Sequence, residues 1–269
     1  AAILTEQPLL LTISGLISTS VVICSPRKLR KRSRVFQIGL LIGMAQLLLV
    51  FAWAALHQEP LPLILKQALA SLICGPVTAI AVLLILPVFE AVFGLSSDIS
   101  LLELSDLSHP LLQRLGIEAP GTYHHSLGVA NLAQAAADEI DANDLLARVG
   151  AYFHDVGKLT KPDIFAENMA GDGNPHDQLT PSMSALLITT HVKEGMSFAL
   201  LSKLPRAITD IIQQHHGTGL VAYFHHKAQA LREQNLRSDV KIGIPADIND
   251  GDFRYSGPPP STREAALIM

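Results

Sequence analysis

The sequence predicts an all-α protein in two parts, three transmembrane helices followed by a cytoplasmic helical bundle. Three observations carry this expectation. Composition changes abruptly near residue 97, three long apolar runs precede that point, and the apolar residues beyond it recur at helical rather than alternating spacing. Charged residues make up only 16% of the chain, against roughly a quarter in an average soluble domain, and the shortage is confined to the first part. The expected organisation is a membrane region over residues 1–96, a connector over 97–119 and a soluble domain over 120–269.

A spanning helix needs about 20 mostly apolar residues. The runs at residues 9–24, 35–56 and 68–93 are the expected spans, the first being the shortest. Buried helices of a large soluble core are the alternative, but such helices keep a polar stripe that these runs lack. Arg27, Lys28, Arg30, Lys31, Arg32 and Arg34 lie between the first two spans, whereas His57, Gln58 and Glu59 follow the second without Lys or Arg. The positive-inside rule places the basic loop in the cytoplasm and sends the third span inward. Trp53 fits an interfacial aromatic, Lys66 can snorkel, and Pro76 and Pro87 are expected to kink the third span. The basic run can also touch anionic lipid. Leu101, Leu102, Leu104 and Leu107 fit an amphipathic connector, either a coupling element or an ordinary packing helix.

The formal net charge of −4 argues against a basic face for duplex nucleic acid. Cys24 and Cys74 both fall in apolar stretches, so neither a disulfide framework nor a cysteine zinc site is expected. The chain starts at Ala1 with no cleavable signal pattern and reads as part of something longer.

In the soluble part, Thr122 is expected to cap a helix that carries His124 and His125, and Asn143 a second one ending at His154-Asp155 with Gly157 as its stop. Thr180 followed by Pro181 opens a third, running to His191 and closed by Gly195. Pro205 opens a fourth that ends at His215-His216. A lone histidine on such a helix is usually structural. The adjacent His154 and Asp155, with further histidines near the ends of other helices, are instead what a mixed nitrogen and oxygen metal site in a bundle requires.

Four stretches carry a resemblance: PGTYHHSL at 120–127, ARVGAYFHDVGK at 147–158, NPHDQLTP at 174–181 and HHG at 215–217. Together they resemble the HD phosphohydrolase superfamily, and more closely the seven-transmembrane HD-domain family, whose studied members hydrolyse cyclic di-AMP. The resemblance implies a membrane-anchored phosphodiesterase of the inner (plasma) membrane, multi-pass, that opens cyclic di-AMP to linear pApA. It implies two divalent cations, Mn or Fe ahead of Zn. His125, His154 and Asp155 match ligands of one; Asp155 bridges to the other, which His191 and His215 complete. His216 matches a residue that ligates metal or touches phosphate, and Lys158 one that contacts the scissile phosphate. His124 reads as a neighbour of a ligand, and His176 as either a substrate neighbour or part of a capped loop. His225 and His226 read as surface residues. A homodimer stays open.

Two departures stand out. The family's last ligand is an Asp expected just past Met269, and Asp247, Asp250 and Asp252 are poor substitutes, so this chain alone is expected to be weakly active. Residues 229–251 read as a long surface loop. The Gly-Tyr-Pro signature of cyclic di-GMP enzymes is absent, since Thr218-Gly219-Leu220 follows His215-His216-Gly217. A nucleotide phosphohydrolase of other specificity and a non-catalytic nucleotide receptor are the remaining alternatives.

Overall fold

A computed structural model describes residues 8–25, 30–169, 171, 173–237 and 248–269. Arg27, Lys28 and Asp247 therefore lie outside the described residues. The chain forms two compact units, Ala1–Ile99 and Ser100–Met269. Both are helical. The single β-type pairing among the described residues is an isolated bridge between Leu220 and Arg254.

The first unit holds α1 (Pro8–Ile23), α2 (Arg32–His57) and α3 (Leu61–Phe93). The second and third are long and apolar enough to cross a membrane. The first expected span is an apolar helix too, but its 16 residues fall short of the needed length. Two candidate spans, not three, stand among the described residues. A β-carbon on Gly39 would meet the Gly75 carbonyl at 2.6 Å and one on Gly43 the Ser71 carbonyl at 3.0 Å. Small residues thus let the backbones of α2 and α3 touch, which is how helices associate without a hydrophobic drive between them. Ser18 on α1 accepts a hydrogen bond from Gln46 Nε2 on α2 at 3.0 Å. α3 continues through Pro76 and Pro87 and ends at Gly94, whose φ of 63° suits glycine.

The short α4 (Asp98–Leu104) runs across the boundary, and the second unit holds α5 (Pro110–Glu118), α6 (Pro120–Glu139), α7 (Asp144–Phe153), α8 (Pro181–Leu201), α9 (Arg206–Gln214), α10 (Ala222–Arg237) and α11 (Arg263–Ile268). α7 is its axis, with Val149, Ala151, Tyr152 and Phe153 all buried. Leu115, Phe153, Val156, Ile208, Ile211 and Ile212 form the surrounding core. Asn143 caps α7 by accepting from Leu146 N at 2.9 Å, and Thr180 caps α8 by accepting from Met183 N at 3.3 Å. Both caps follow from residue chemistry.

Several local expectations fail. α6 begins at Pro120, so Thr122 sits inside its first turn with its side chain turned to another segment. Gly195 does not close α8, which runs to Leu201. Gly157 does not stop a helix either: it lies in a 3-10 helix, Val156–Thr160, where an added β-carbon would overlap the His191 carbonyl. Glycine is there for close approach. The expected loop from residue 229 is helical as far as Arg237.

Candidate metal centre

Asp155 occupies the point where α7 gives way to the 3-10 helix. Its φ of −105° and ψ of 13° fall in the sparsely used region between the helical and extended basins. This corner turns the carboxylate away from the α7 axis, toward α8 and the end of α9. His154, Asp155, His191 and His215 are all buried.

The two carboxylate oxygens face different nitrogens. Oδ1 lies 3.3 Å from His191 Nε2 and 3.5 Å from His215 Nε2. Oδ2 lies 3.1 Å from His154 Nε2, 3.9 Å from His125 Nε2 and 2.8 Å from Lys158 Nζ. Two donor sets share this residue: His125, His154 and Asp155, and Asp155, His191, His215 and His216. Within each set the ligand atoms lie within 4.8 Å of one another.

The imidazoles are oriented alike. Nδ1 of His154, His191 and His215 meets the carbonyls of Ala151, Ile188 and Ile212 at 2.7, 2.6 and 2.8 Å. In each case the ring binds the carbonyl three residues back in its own chain. A carbonyl only accepts, so Nδ1 carries a proton in each ring and Nε2 is the nitrogen turned toward Asp155. This leaves His191 Nε2 and His215 Nε2 3.2 Å apart beside Asp155 Oδ1, a buried oxygen with no hydrogen-bond partner. Two imidazole nitrogens and one carboxylate oxygen converging this closely are a donor set that suits a divalent cation. Burial opposes charge on Asp155, but the neighbouring His154 outweighs it and holds the carboxyl well below the usual carboxylate range.

His216 differs. Burial, reinforced by His215 and His191, pushes it down to about 2, so it is uncharged near neutrality. Its ring stacks on Tyr255, centroids 4.0 Å apart and planes 17° apart. Tyr255 is held there because its N–H donates to the Gly219 carbonyl at 3.0 Å, next to the Leu220–Arg254 bridge. Lys158 is raised: burial lowers it, but Asp155 and Glu167 prevail. Its ammonium lies 2.7 Å from Glu167 Oε1 and 4.9 Å from the centre of the Phe165 ring.

His125, His154, Asp155, Lys158, His191, His215 and His216 are thus brought together. His124 is exposed, its ring near Tyr123, and belongs to neither donor set. His176 is buried, its Nε2 meeting the Ile164 carbonyl at 2.9 Å in a turn that Asn174 caps, so it serves the loop. His225 is a correction: it is buried, with Nε2 2.8 Å from Asp250 Oδ1 and its ring against Phe253. An exposed reading was natural because the helix around it has no apolar period. Sequence reasoning missed Glu167, Phe165 and Tyr255. Each acts through a contact that no helical spacing marks.

A helical bundle that gathers imidazoles from separate helices around one buried aspartate is a domain of the kind that can hold a metal ion. The match to known families agrees: the chain belongs to the HD-domain family, whose model matches residues 122–265. Residues 1–97 match the family described as a 7TM receptor with intracellular HD hydrolase. The cyclic-di-AMP phosphodiesterase PgpH of Bacillus subtilis is 38% identical over 88% of this chain and 32% of its own length. The protein of that name from Listeria monocytogenes is 38% identical over 96% of this chain and 34% of its own. The chain therefore spans about a third of the length of the curated relatives it matches. The crystal structure of the L. monocytogenes PgpH HD domain in complex with cyclic di-AMP is 47% identical, with a TM-score of 0.53, over 60% of this chain and 69% of that one.

Proposed function

We propose that this chain is the membrane-anchored catalytic part of a metal-dependent phosphodiesterase that hydrolyses cyclic di-AMP to linear pApA. The observation that carries the reading is the orphaned Oδ1 of Asp155 between two imidazole Nε2 atoms, in a chain that is 47% identical over 60% of its length to a domain solved with that nucleotide. The proposal includes three domains, a membrane region 1–96, a connector 97–119 and an HD domain 120–269. It places α2 and α3 in the inner membrane, with the HD domain in the cytoplasm. The positive-inside rule supports that orientation through Arg30, Lys31, Arg32 and Arg34.

The donor sets would hold two divalent ions, one on His125, His154 and Asp155 and the other on Asp155, His191 and His215, a mixed imidazole and carboxylate ligation that suits Fe, Mn or Zn. When bound, such ions activate water and offset charge on phosphate oxygens. The chain's own groups do the rest. Lys158 places a positive charge at the edge of the cluster, where it can meet the scissile phosphate. His216, uncharged and stacked on Tyr255, presents a ring nitrogen as ligand or as phosphate contact. Hydrolysis adds water to phosphorus and breaks the bond to one 3′-oxygen, which takes up a proton. The phosphate stays on the 5′ side.

The test uses full-length protein in membranes, supplied in turn with Mn²⁺, Fe²⁺ and Zn²⁺, with products separated by chromatography. Cyclic di-AMP should yield pApA, and chelation should stop it. Binding without turnover would establish a receptor instead, and faster hydrolysis of a deoxynucleoside triphosphate a phosphohydrolase of other specificity.

A further inference from the structure

Outside the imidazole cluster, a short stretch of 3-10 turns ending at Asn168 lies against the first turn of α6. Gly121 allows the approach, since a β-carbon there would overlap the Glu167 carbonyl. Thr122 N–H donates to Asn168 Oδ1 at 3.1 Å, and Asn168 Nδ2 donates to Thr122 Oγ1 at 2.8 Å. The same hydroxyl donates to Glu167 Oε1 at 3.1 Å. That oxygen also accepts from Lys158 Nζ at 2.7 Å. One carboxylate oxygen therefore joins the helix carrying His125 to the lysine beside Asp155.

Lysine has a long, flexible stem, and a single charged partner leaves its ammonium free to swing. Here the first partner, Asp155, is the residue both donor sets share, so it cannot hold Lys158 independently of them. Glu167 can. It belongs to neither set, is fixed by Thr122, and approaches Lys158 beside the Phe165 ring. A positively charged Lys158 on this anchor stays near the cluster when Asp155 is otherwise engaged.

We propose that Glu167 is a positioning residue that holds Lys158 in place for the phosphate and ties it to α6. This deepens the phosphodiesterase reading and rests on it. Glu167 acts through Lys158 and does not itself touch the nucleotide.

The experiment compares Glu167→Gln, Glu167→Asp, Lys158→Met and the double variant Glu167→Gln/Lys158→Met in Mn²⁺-loaded full-length protein. Glutamine keeps the size of the side chain and an oxygen for Thr122 but removes the charge. It should lower kcat for cyclic di-AMP by roughly tenfold to a hundredfold, the scale of a misplaced group, with KM, bound Mn²⁺ and melting unchanged. Aspartate keeps the charge and should recover part of the loss. The double variant should be no slower than Lys158→Met alone. A wild-type kcat in Glu167→Gln, a double variant that multiplies the two losses, or a loss that tracks missing Mn²⁺ or lowered melting would each overturn the assignment. If the wild-type protein cleaves no cyclic di-AMP, the phosphodiesterase reading falls and this one falls with it.

Discussion

Each oxygen of Asp155 faces its own group of nitrogens, and one substitution separates charge from shape there. Asp155→Asn keeps the volume and one acceptor oxygen but turns the other position into a donor facing imidazole nitrogens. The variant should lose metal, and with it the stabilisation that a bound ion gives, about 2.7 kcal/mol at a hundredfold excess over Kd. Differential scanning calorimetry with and without Mn²⁺ reads this directly: a metal-dependent rise in Tm in the wild type, and none in the variant. His154 and Asp155 were legible in the sequence because two chemically pointed residues stand side by side. Glu167 and Tyr255 were not. Their value comes from Lys158, nine residues before Glu167, and from His216, far from Tyr255 in the chain, and no helical period links either pair. Thr122 misled for a related reason: its hydroxyl suits a local cap, yet its partners are Glu167 and Asn168, across a tertiary contact.

Among elements, the junction of α8 with the 3-10 helix is a close backbone contact. Gly157 meets the His191 carbonyl and lies beside Gly195, so a methyl group has no room. Gly157→Ala should destabilise by roughly 1–3 kcal/mol, the range for overpacking, and should weaken metal binding because His191 must shift. Chemical denaturation and Mn²⁺ titration of the same sample check both. Thr180→Ala, which removes only the α8 cap, should cost about 1 kcal/mol and leave metal affinity near wild type. Such a contrast separates damage to the junction from damage to the helix. The caps at Asn143 and Thr180 could be read from residue type alone, whereas the far end of α8 could not. Gly195 signals a stop locally, but the helix runs on to Leu201, and a β-carbon on Gly195 would crowd the Ile212 methyl at 2.9 Å, so the glycine serves packing. The helix through Arg237 was hidden by polar residues that no apolar period connects.

At the scale of the molecule, the composition change near residue 97 was visible because lipid and water select such different side chains. The first span was over-read: α1 has the composition of a span without the length among the described residues. Orientation can be checked with single cysteines in a Cys24→Ser, Cys74→Ser background. Glu59→Cys should react with a membrane-impermeant maleimide on intact cells, and Ser202→Cys only after permeabilisation. The reverse pattern would invert the topology. A mechanical consequence follows from the glycine contact between α2 and α3. Rods that touch backbone to backbone cannot ratchet past one another, because each vertical step would drive a carbonyl into the opposite chain. They tilt together as a lever. α3 has 33 residues and is about 50 Å long, so a tilt of about 5° about one end sweeps the other by about 4 Å. Spin labels at the ends of α2 and α3 should then report correlated displacements, and Gly75→Leu should decouple them.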